Sequence, residues 1–356
     1  MAGPSVIVVG ASAGGIEALK QIVQGLPRDL PAAVCVVLHV PAHGPSILPR
    51  ILSRAGRLPA THPEDQETLR PGRIYVAPPD YHLLVKPGHV RVTRGPRENS
   101  HRPAADALFR TAARSYGQKV IGVVLSGVLD DGTAGLLAVK QGGGLAVVQH
   151  PDDALYPGMP GSALANVAVD YCLPAAELPG LLVRLAADRA AIPDFPGLAG
   201  DPAQEADMAE LEPGATHANH RPGNPSGFAC PECGGALWEL TEGDLLRFRC
   251  RVGHAWSAES LLAEQADGLE AALWSALRAL EEQAALARRM AERAAKRGMM
   301  SSNQTFERQI REATAHAELI RRVLLVRRPD PSTESFPEHR EVPQAAPTDG
   351  NGEAAA

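Results

Sequence analysis

Aromatic side chains make up only 4% of the 356 residues, so the core here has to be filled by aliphatic side chains and alanine. No Lys/Arg block interrupts the mixed charges, and the formal net charge is −6. Neither feature suits a phosphate-tracking surface, so nucleic acid is not an expected partner. No stretch reaches the roughly eighteen uninterrupted apolar residues of a membrane span, and no membrane insertion is expected. The N-terminus lacks a basic segment ahead of its first apolar run, which reads as a β-strand and not as a signal peptide. Cysteine is scarce as well, with five in all. Cys35 and Cys172 sit singly in strand-like runs, as buried reduced thiols do. Cys230, Cys233 and Cys250 cluster, which suggests a metal. That usage is a cytosolic pattern, so a cytoplasmic location is expected.

What is present is organised in blocks. From residue 5 to about 190, short valine-rich runs alternate with amphipathic helical stretches such as GIEALKQIVQGL and PAADALFRTAARSYG. The runs are SVIVV, AAVCVVLHV (32–40), RIYVAP (73–78), KVIGVVLSG (119–127) and GLAVVQH (144–150). They are too short for buried helices and too uniformly apolar for half-exposed strands, so they predict buried parallel strands. The alternation predicts an α/β fold over residues 1–190, a doubly wound, mostly parallel sheet in a Rossmann-like three-layer arrangement. LLVKPGHVRVT (83–93) is the exception, a hairpin around Pro-Gly. A Pro/Gly/acidic linker is expected over 191–227 and a small Cys/His unit over 228–257. A helical region follows over 258–327, then a disordered tail over 328–356. Phe306, Ile310, Ala313, Ala317, Ile320 and Leu324 fall along one helical seam.

"VIVVGASAGGIEAL" (6–19) turns from strand to helix through a glycine-rich loop. A P-loop needs Lys and Ser/Thr after its last glycine, but Ile16 and Glu17 follow Gly15. A dinucleotide fingerprint needs glycine where Ser12 stands and an acid where the second strand ends in His39. The same residues do match G-x-S-x-G between strand and helix, the setting of a nucleophile elbow. The helix N-terminus would aim free N–H groups at a developing oxyanion. The alternative is a tight turn in which Ser12 only caps the helix. Serine chemistry needs a base and an orienting acid, and in parallel sheets reactive groups gather at the carboxyl ends of strands. Those ends carry Ser12, His39 and, after KVIGVVLSG, Asp130 and Asp131.

Six stretches in fixed order, "VVGASAGGIEAL", "VVLHVP", "RPGRIYVAPPDYHLL", "SHRPAADALFRTAA", "VVLSGVLDDGTAG" and "YPGMPGSALANVAVDYCLP", resemble the CheB-type catalytic domain of chemotaxis protein-glutamate methylesterases across about residues 3–187. The resemblance implies a parallel α/β sheet and a Ser-His-Asp triad. It also implies hydrolysis of glutamate methyl esters, and deamidation of certain glutamines, on methyl-accepting chemotaxis receptors or a similar methylated signalling protein. It assigns Ser12 as nucleophile, His39 as base and Asp131, which matches the family's Asp-Gly pair, as orienting acid. Backbone groups at Ala13, Gly14 and Val128 are the expected oxyanion and positioning elements. Ala13 replaces the usual threonine, and Gly127-Val128-Leu129 replaces the usual glycine-methionine-glycine, so the pocket lining differs. The family's N-terminal receiver domain is expected to be absent, since the esterase begins at the first residues.

In the C-terminal unit, Cys230-x2-Cys233 and Cys250-x3-His254 are spaced like the two knuckles of a zinc ribbon, and Cys₃His suits tetrahedral Zn²⁺. Four protein ligands leave no open position, so the zinc is expected to be structural, with no cofactor for catalysis. The helices beyond it suit self-packing, or docking to a receptor, a kinase, a methyltransferase or a second copy of the chain. Two rival readings remain at this stage. One is a regulatory scaffold that uses an inactive esterase fold on a partner outside chemotaxis, and the other is a nucleotide-dependent oxidoreductase.

Overall fold

The five apolar runs and two short edge strands form one parallel sheet. The structure, a computed structural model, describes residues 4–44, 46–193, 223–242 and 245–326. Most of the expected linker and the whole expected tail lie outside the described residues. The strands are β1 (Ser5–Ala11), β2 (Ala32–Leu38), β3 (Ala60–Thr61), β4 (Arg73–Val76), β7 (Val120–Val124), β8 (Leu145–Gln149) and β9 (Tyr171–Leu173). Their order is β3-β4-β2-β1-β7-β8-β9, and every pairing is parallel. The short β3 and β9 are edge strands. β5 (His82–Lys86) and β6 (His89–Thr93) form the expected antiparallel hairpin.

Both faces of the sheet are covered, which explains the near-continuous apolar strands. On one face α1 (Gly15–Gly25), α2 (Leu48–Ala55) and α6 (Leu178–Ala190) meet Ile7, Val9 and Ala11. On the other, α3 (Ala105–Tyr116), α4 (Thr133–Gln141), α5 (Gly158–Asn166) and the hairpin meet Val6 and Val8. Val6, Ile7, Val8 and Val9 are each at most 1% exposed, worth about 1.5–3 kcal/mol apiece. The chain leaves β1 toward β2 on one side and later returns to β7 on the other. β1 therefore flanks the topological switch point, and the crevice beyond its carboxyl end is where this architecture binds ligands.

Four further strands, β10 (Asn224–Ala229), β11 (Ala236–Glu242), β12 (Leu245–Cys250) and β13 (Ala255–Ser257), form an antiparallel sheet in that order. This small sheet and the large one belong to one compact unit that closes at Ser260, and a second unit opens at Leu261.

The second unit is helical, built from α7 (Ala258–Lys296), which starts in the first unit, and α8 (Met300–Leu325). Ala313 and Ala317 are buried on α8, with Phe306, Ile310, Ile320 and Leu324 partly buried along the expected seam. α7 buries Leu277, Ala284, Ala287, Ala291 and Ala294, and Glu281 pairs with Arg321 across the hairpin. Among the described residues no helix is long and apolar enough to cross a membrane.

Candidate active site

Ser12 sits in the turn between β1 and α1 because the parallel ladder carries it there. Its N–H donates to the Ser126 carbonyl at 3.0 Å, extending the β1–β7 pairing by one step. The turn needs Gly14, whose φ is 74° and whose added Cβ would lie 2.6 Å from Ser126 Oγ and 2.8 Å from Leu155 Cβ. Gly127 lies against the serine itself, since a Cβ there would stand 2.9 Å from Ser12 Cβ and 2.0 Å from Met159 Sδ. Ala13 and Gly14 precede the first turn of α1, where N–H groups have no intrahelical carbonyl to bond. Val128 follows Gly127 and is 40% exposed, so its side chain faces outward.

β2 delivers His39. Its N–H donates to the Ala11 carbonyl at 3.1 Å, which fixes it one strand away from Ser12. The ring is 7% exposed and its Nε2 lies 2.7 Å from Asp131 Oδ2. Nδ1 is buried and bonds no other group, which leaves it as the nitrogen that can take a proton. Among the described residues no hydrogen bond joins Ser12 Oγ to His39; such contacts often tighten only when substrate is bound. Ser12, His39 and Asp131 thus come from the carboxyl ends of three adjacent strands, β1, β2 and β7. Asp130, the other acid considered, points elsewhere and accepts the hydroxyls of Ser257 and Ser260 at 2.8 and 2.9 Å.

Asp131 is saturated with donors. Oδ2 accepts the His39 ring and the Ala105 N–H at 2.6 Å, and Oδ1 accepts the Asp106 N–H at 3.3 Å and Asn99 Nδ2 at 3.2 Å. Burial alone would raise its pKa, but His39, His101 and the Ala105 N–H outweigh burial and hold the carboxyl well below its usual range. The N-terminus of α3 supplies two of those donors, as helix N-termini do for anions.

Three residues to which sequence reasoning gave no role complete the site. Asp106 accepts the Gly132 and Gly135 N–H groups at 3.0 and 2.6 Å. Burial, and then the charge of Asp131, push its pKa up to about 8, so Asp106 holds a proton far more tightly than Asp131 does. His101 stacks on His39 with ring centroids 3.6 Å apart. Burial, and then His39, pull the His101 pKa down to about 4, so it lies against the active ring uncharged. Asn99 bridges Asp131 and Asp106 through Nδ2, at 3.2 Å from each. All three belong to or adjoin the quoted SHRPAAD stretch. Its unusual density of polar residues just ahead of an apolar helix was the available signal.

In the small sheet, Cys230, Cys233, Cys250 and His254 bring their ligand atoms within 4.8 Å of one another, a set able to hold one metal ion. Cys230 Sγ and Cys250 Sγ lie 3.8 and 3.6 Å from His254 Nδ1, and Cys233 Sγ lies 3.8 Å from Cys250 Sγ.

The family model described as CheB methylesterase matches residues 7–182. A Thermotoga maritima protein named protein-glutamate methylesterase/protein-glutamine glutaminase is 35% identical over 184 residues, 51% of this chain and 54% of the relative. A Leptospira interrogans protein that carries the same name provisionally is 41% identical over 180 residues, 50% of this chain and 93% of the relative. The crystal structure of the Thermotoga maritima CheB methylesterase catalytic domain is 34% identical, with a TM-score of 0.49, covering 51% of this chain and 98% of that one. Through these residues the chain belongs to the CheB methylesterase family.

Proposed function

We propose that the protein is a serine esterase that hydrolyses glutamate methyl esters, and deamidates glutamines, on methyl-accepting chemotaxis receptors or a similar methylated signalling protein. The observation that carries this reading is the buried 2.7 Å His39–Asp131 pair beside a serine in a strand-to-helix turn. Ser12 Oγ attacks the glutamyl side-chain carbonyl while His39 Nδ1 takes its proton. Asp131 keeps its charge, orients the ring through Nε2 and stabilises the imidazolium. The tetrahedral oxyanion forms beside the α1 N-terminus, with the N–H groups of Ala13, Gly14 and Val128 as its donors. Collapse passes the proton from His39 to the leaving group, which departs as methanol or ammonia. A water then repeats the sequence on the acyl-enzyme and releases the glutamate.

Apolar side chains around the serine, Ile16, Val128, Leu155 and Tyr156, are 36–71% exposed and suit a protein helix better than a small polar ester. The domain division proposed is a catalytic domain over 1–190, a linker over 191–227, a metal-binding unit over 228–257 and helices over 258–327. The helices would serve as a docking element for a receptor, kinase or methyltransferase. The metal proposed is structural Zn²⁺: Zn–S bonds of about 2.3 Å and Zn–N bonds of about 2.0 Å give tetrahedral edges of about 3.5–3.8 Å, and the three ligand separations above fall in or at that range. Reduced thiols and a zinc site support a cytoplasmic location.

The test is methanol release from methylated receptor membranes by the full chain, compared with Ser12→Ala and His39→Ala. Release by the wild type that vanishes in both variants is the expected result. Release that persists in Ser12→Ala removes the serine mechanism, and none from folded wild type removes the substrate.

A further inference from the structure

The small sheet reaches the proposed triad directly. Between β6 and α3, residues 97–99 run alongside β13, with the Asn99 N–H donating to the Ala255 carbonyl at 2.8 Å and the Ala255 N–H to the Arg97 carbonyl at 3.3 Å. The Ser257 N–H donates to Asn99 Oδ1 at 2.8 Å. That fixes which way the Asn99 amide faces, because its oxygen is held by β13 and its nitrogen therefore faces Asp131. Ser257 Oγ accepts the Ser260 N–H, a first-turn capping bond for α7, and donates to Asp130, the neighbour of Asp131. Asn99 and Ser100 both have positive φ, 50° and 64°, a conformation that persists only where surroundings enforce it.

The contact is buried and charged. Glu98 accepts Arg110 through both its oxygens at 2.5 Å and lies 3.8 Å from Arg249 of β12. Arg247 and Arg249 are 2% and 1% exposed. Arg97 pairs at 3.1 Å with Glu232, which sits between the ligands Cys230 and Cys233. β13 itself is anchored by the ligand cluster at its start, where the Cys250 N–H donates to the His254 carbonyl at 3.0 Å. A sheet with so little apolar core depends on its metal for order, so the order of β13 follows from metal occupancy.

We infer that Asn99 and Ser257 are positioning residues, and that the Cys₃His unit, when loaded, locks the Asp131 carboxylate through them, making turnover depend on a metal that never meets the substrate. This rests on the Ser12 triad proposed above. No proton or bond is routed through the metal; it orders β13, β13 orients Asn99, and Asn99 orients Asp131.

The test uses the full chain with Zn²⁺ bound, stripped by a chelator, and restored by Zn²⁺, in wild type and in Asn99→Ala. Thiol titration reports loss of the metal, a fluorophosphonate probe reports Ser12 reactivity, and steady-state kinetics separate kcat from KM. Stripping is expected to lower kcat and the labelling rate about tenfold with KM within about twofold, a loss reversed by Zn²⁺. Asn99→Ala is expected to keep its metal, lose kcat to a similar extent and lose little more when stripped, because both perturbations break one chain of contacts. An unchanged kcat on stripping, or losses that multiply independently, overturns the inference. Should stripping unfold the large sheet, the comparison passes to Asn99→Ala, Ser257→Ala and their double variant, which retain all four ligands. There, independent losses overturn it and non-additive ones support it. Wild type that is inactive with zinc bound, or Ser12→Ala that stays active, would instead defeat the triad reading.

Discussion

The two sheets hold their functional side chains by opposite means. The large sheet fixes Ser12, His39 and Asp131 by burying apolar strands on both faces, so the ends of β1, β2 and β7 are set by close packing throughout the core. The small sheet has few buried apolar residues, among them Leu237, Phe248 and Trp256. It carries a cluster of four side chains able to hold a metal and two arginines buried toward its neighbour. A site on a deep core needs no help to exist, whereas a thin sheet leans on a partner surface and, on the reading proposed above, on a metal. The difference teaches that order in one region is intrinsic and in the other is conferred.

The largest effect that would sharpen this contrast is at Ser12. Ser12→Ala is expected to lower kcat by about 10³-fold or more while the thermal midpoint moves by less than about 2 °C. Calorimetry beside turnover assays checks both halves, and a large drop in the midpoint would mean that the turn depends on the hydroxyl for its shape.

Glu98→Ala reaches both regions at once. It leaves Arg110 and Arg249 buried without this carboxylate, and a broken buried ion pair costs about 3–5 kcal/mol. Denaturant unfolding followed by tryptophan signal and by far-ultraviolet dichroism is expected to shift together. A small-sheet transition moving alone would show that the two regions are less tied than the contacts indicate.

Gly127→Ala probes the intrinsic order of the large sheet. The added methyl collides with Met159 and Ser12, so the expected cost is about 1–3 kcal/mol of stability, together with a clear loss of kcat. Wild-type kcat in this variant would mean that the β7–α4 loop yields without disturbing the serine.

The smallest effect concerns Asp106. Its pKa is raised in the folded state, so the folded protein keeps a proton that the unfolded chain gives up. Stability therefore falls as pH rises from about 4 toward about 8. Asp106→Asn removes that slope, so the variant should gain steadily on the wild type in stability as pH rises from 5 to 8. Parallel curves from unfolding titrations at several pH values would show that Asp106 is ionised throughout.

Much of the large sheet was legible because its strands are uniformly apolar and its helices periodic, so strand ends could be read off and Ser12, His39 and Asp131 named. The edge strand β3 was not, since two residues carry no periodicity. Asn99, His101 and Asp106 escaped because their roles depend on a loop folding back to the ends of β2 and β7. The small sheet's Cys/His cluster was legible from spacing alone, but its attachment was not. In LLRFRC the arginines alternate with apolar residues, and such alternation ordinarily puts charge in water. Here both guanidiniums are buried, and Arg249 lies 3.8 Å from Glu98, 151 residues earlier in the chain, a pairing that no local pattern encodes.

The buried arginines also bear on how far this chain is modular. A piece ending near residue 193 would keep the whole parallel sheet and all three residues of the proposed triad. It would also uncover Glu98 without Arg249, Asp130 without Ser257 and Ser260, and Asn99 with its carbonyl oxygen unclaimed. Such a minimal domain would carry its proposed active residues on a surface shaped to be covered. Grafting the small sheet onto another protein would meet the converse difficulty, since Arg249 would arrive without Glu98. The boundary between the sheets is therefore a poor place to divide the chain and a good place to look for mutations that alter catalysis from a distance.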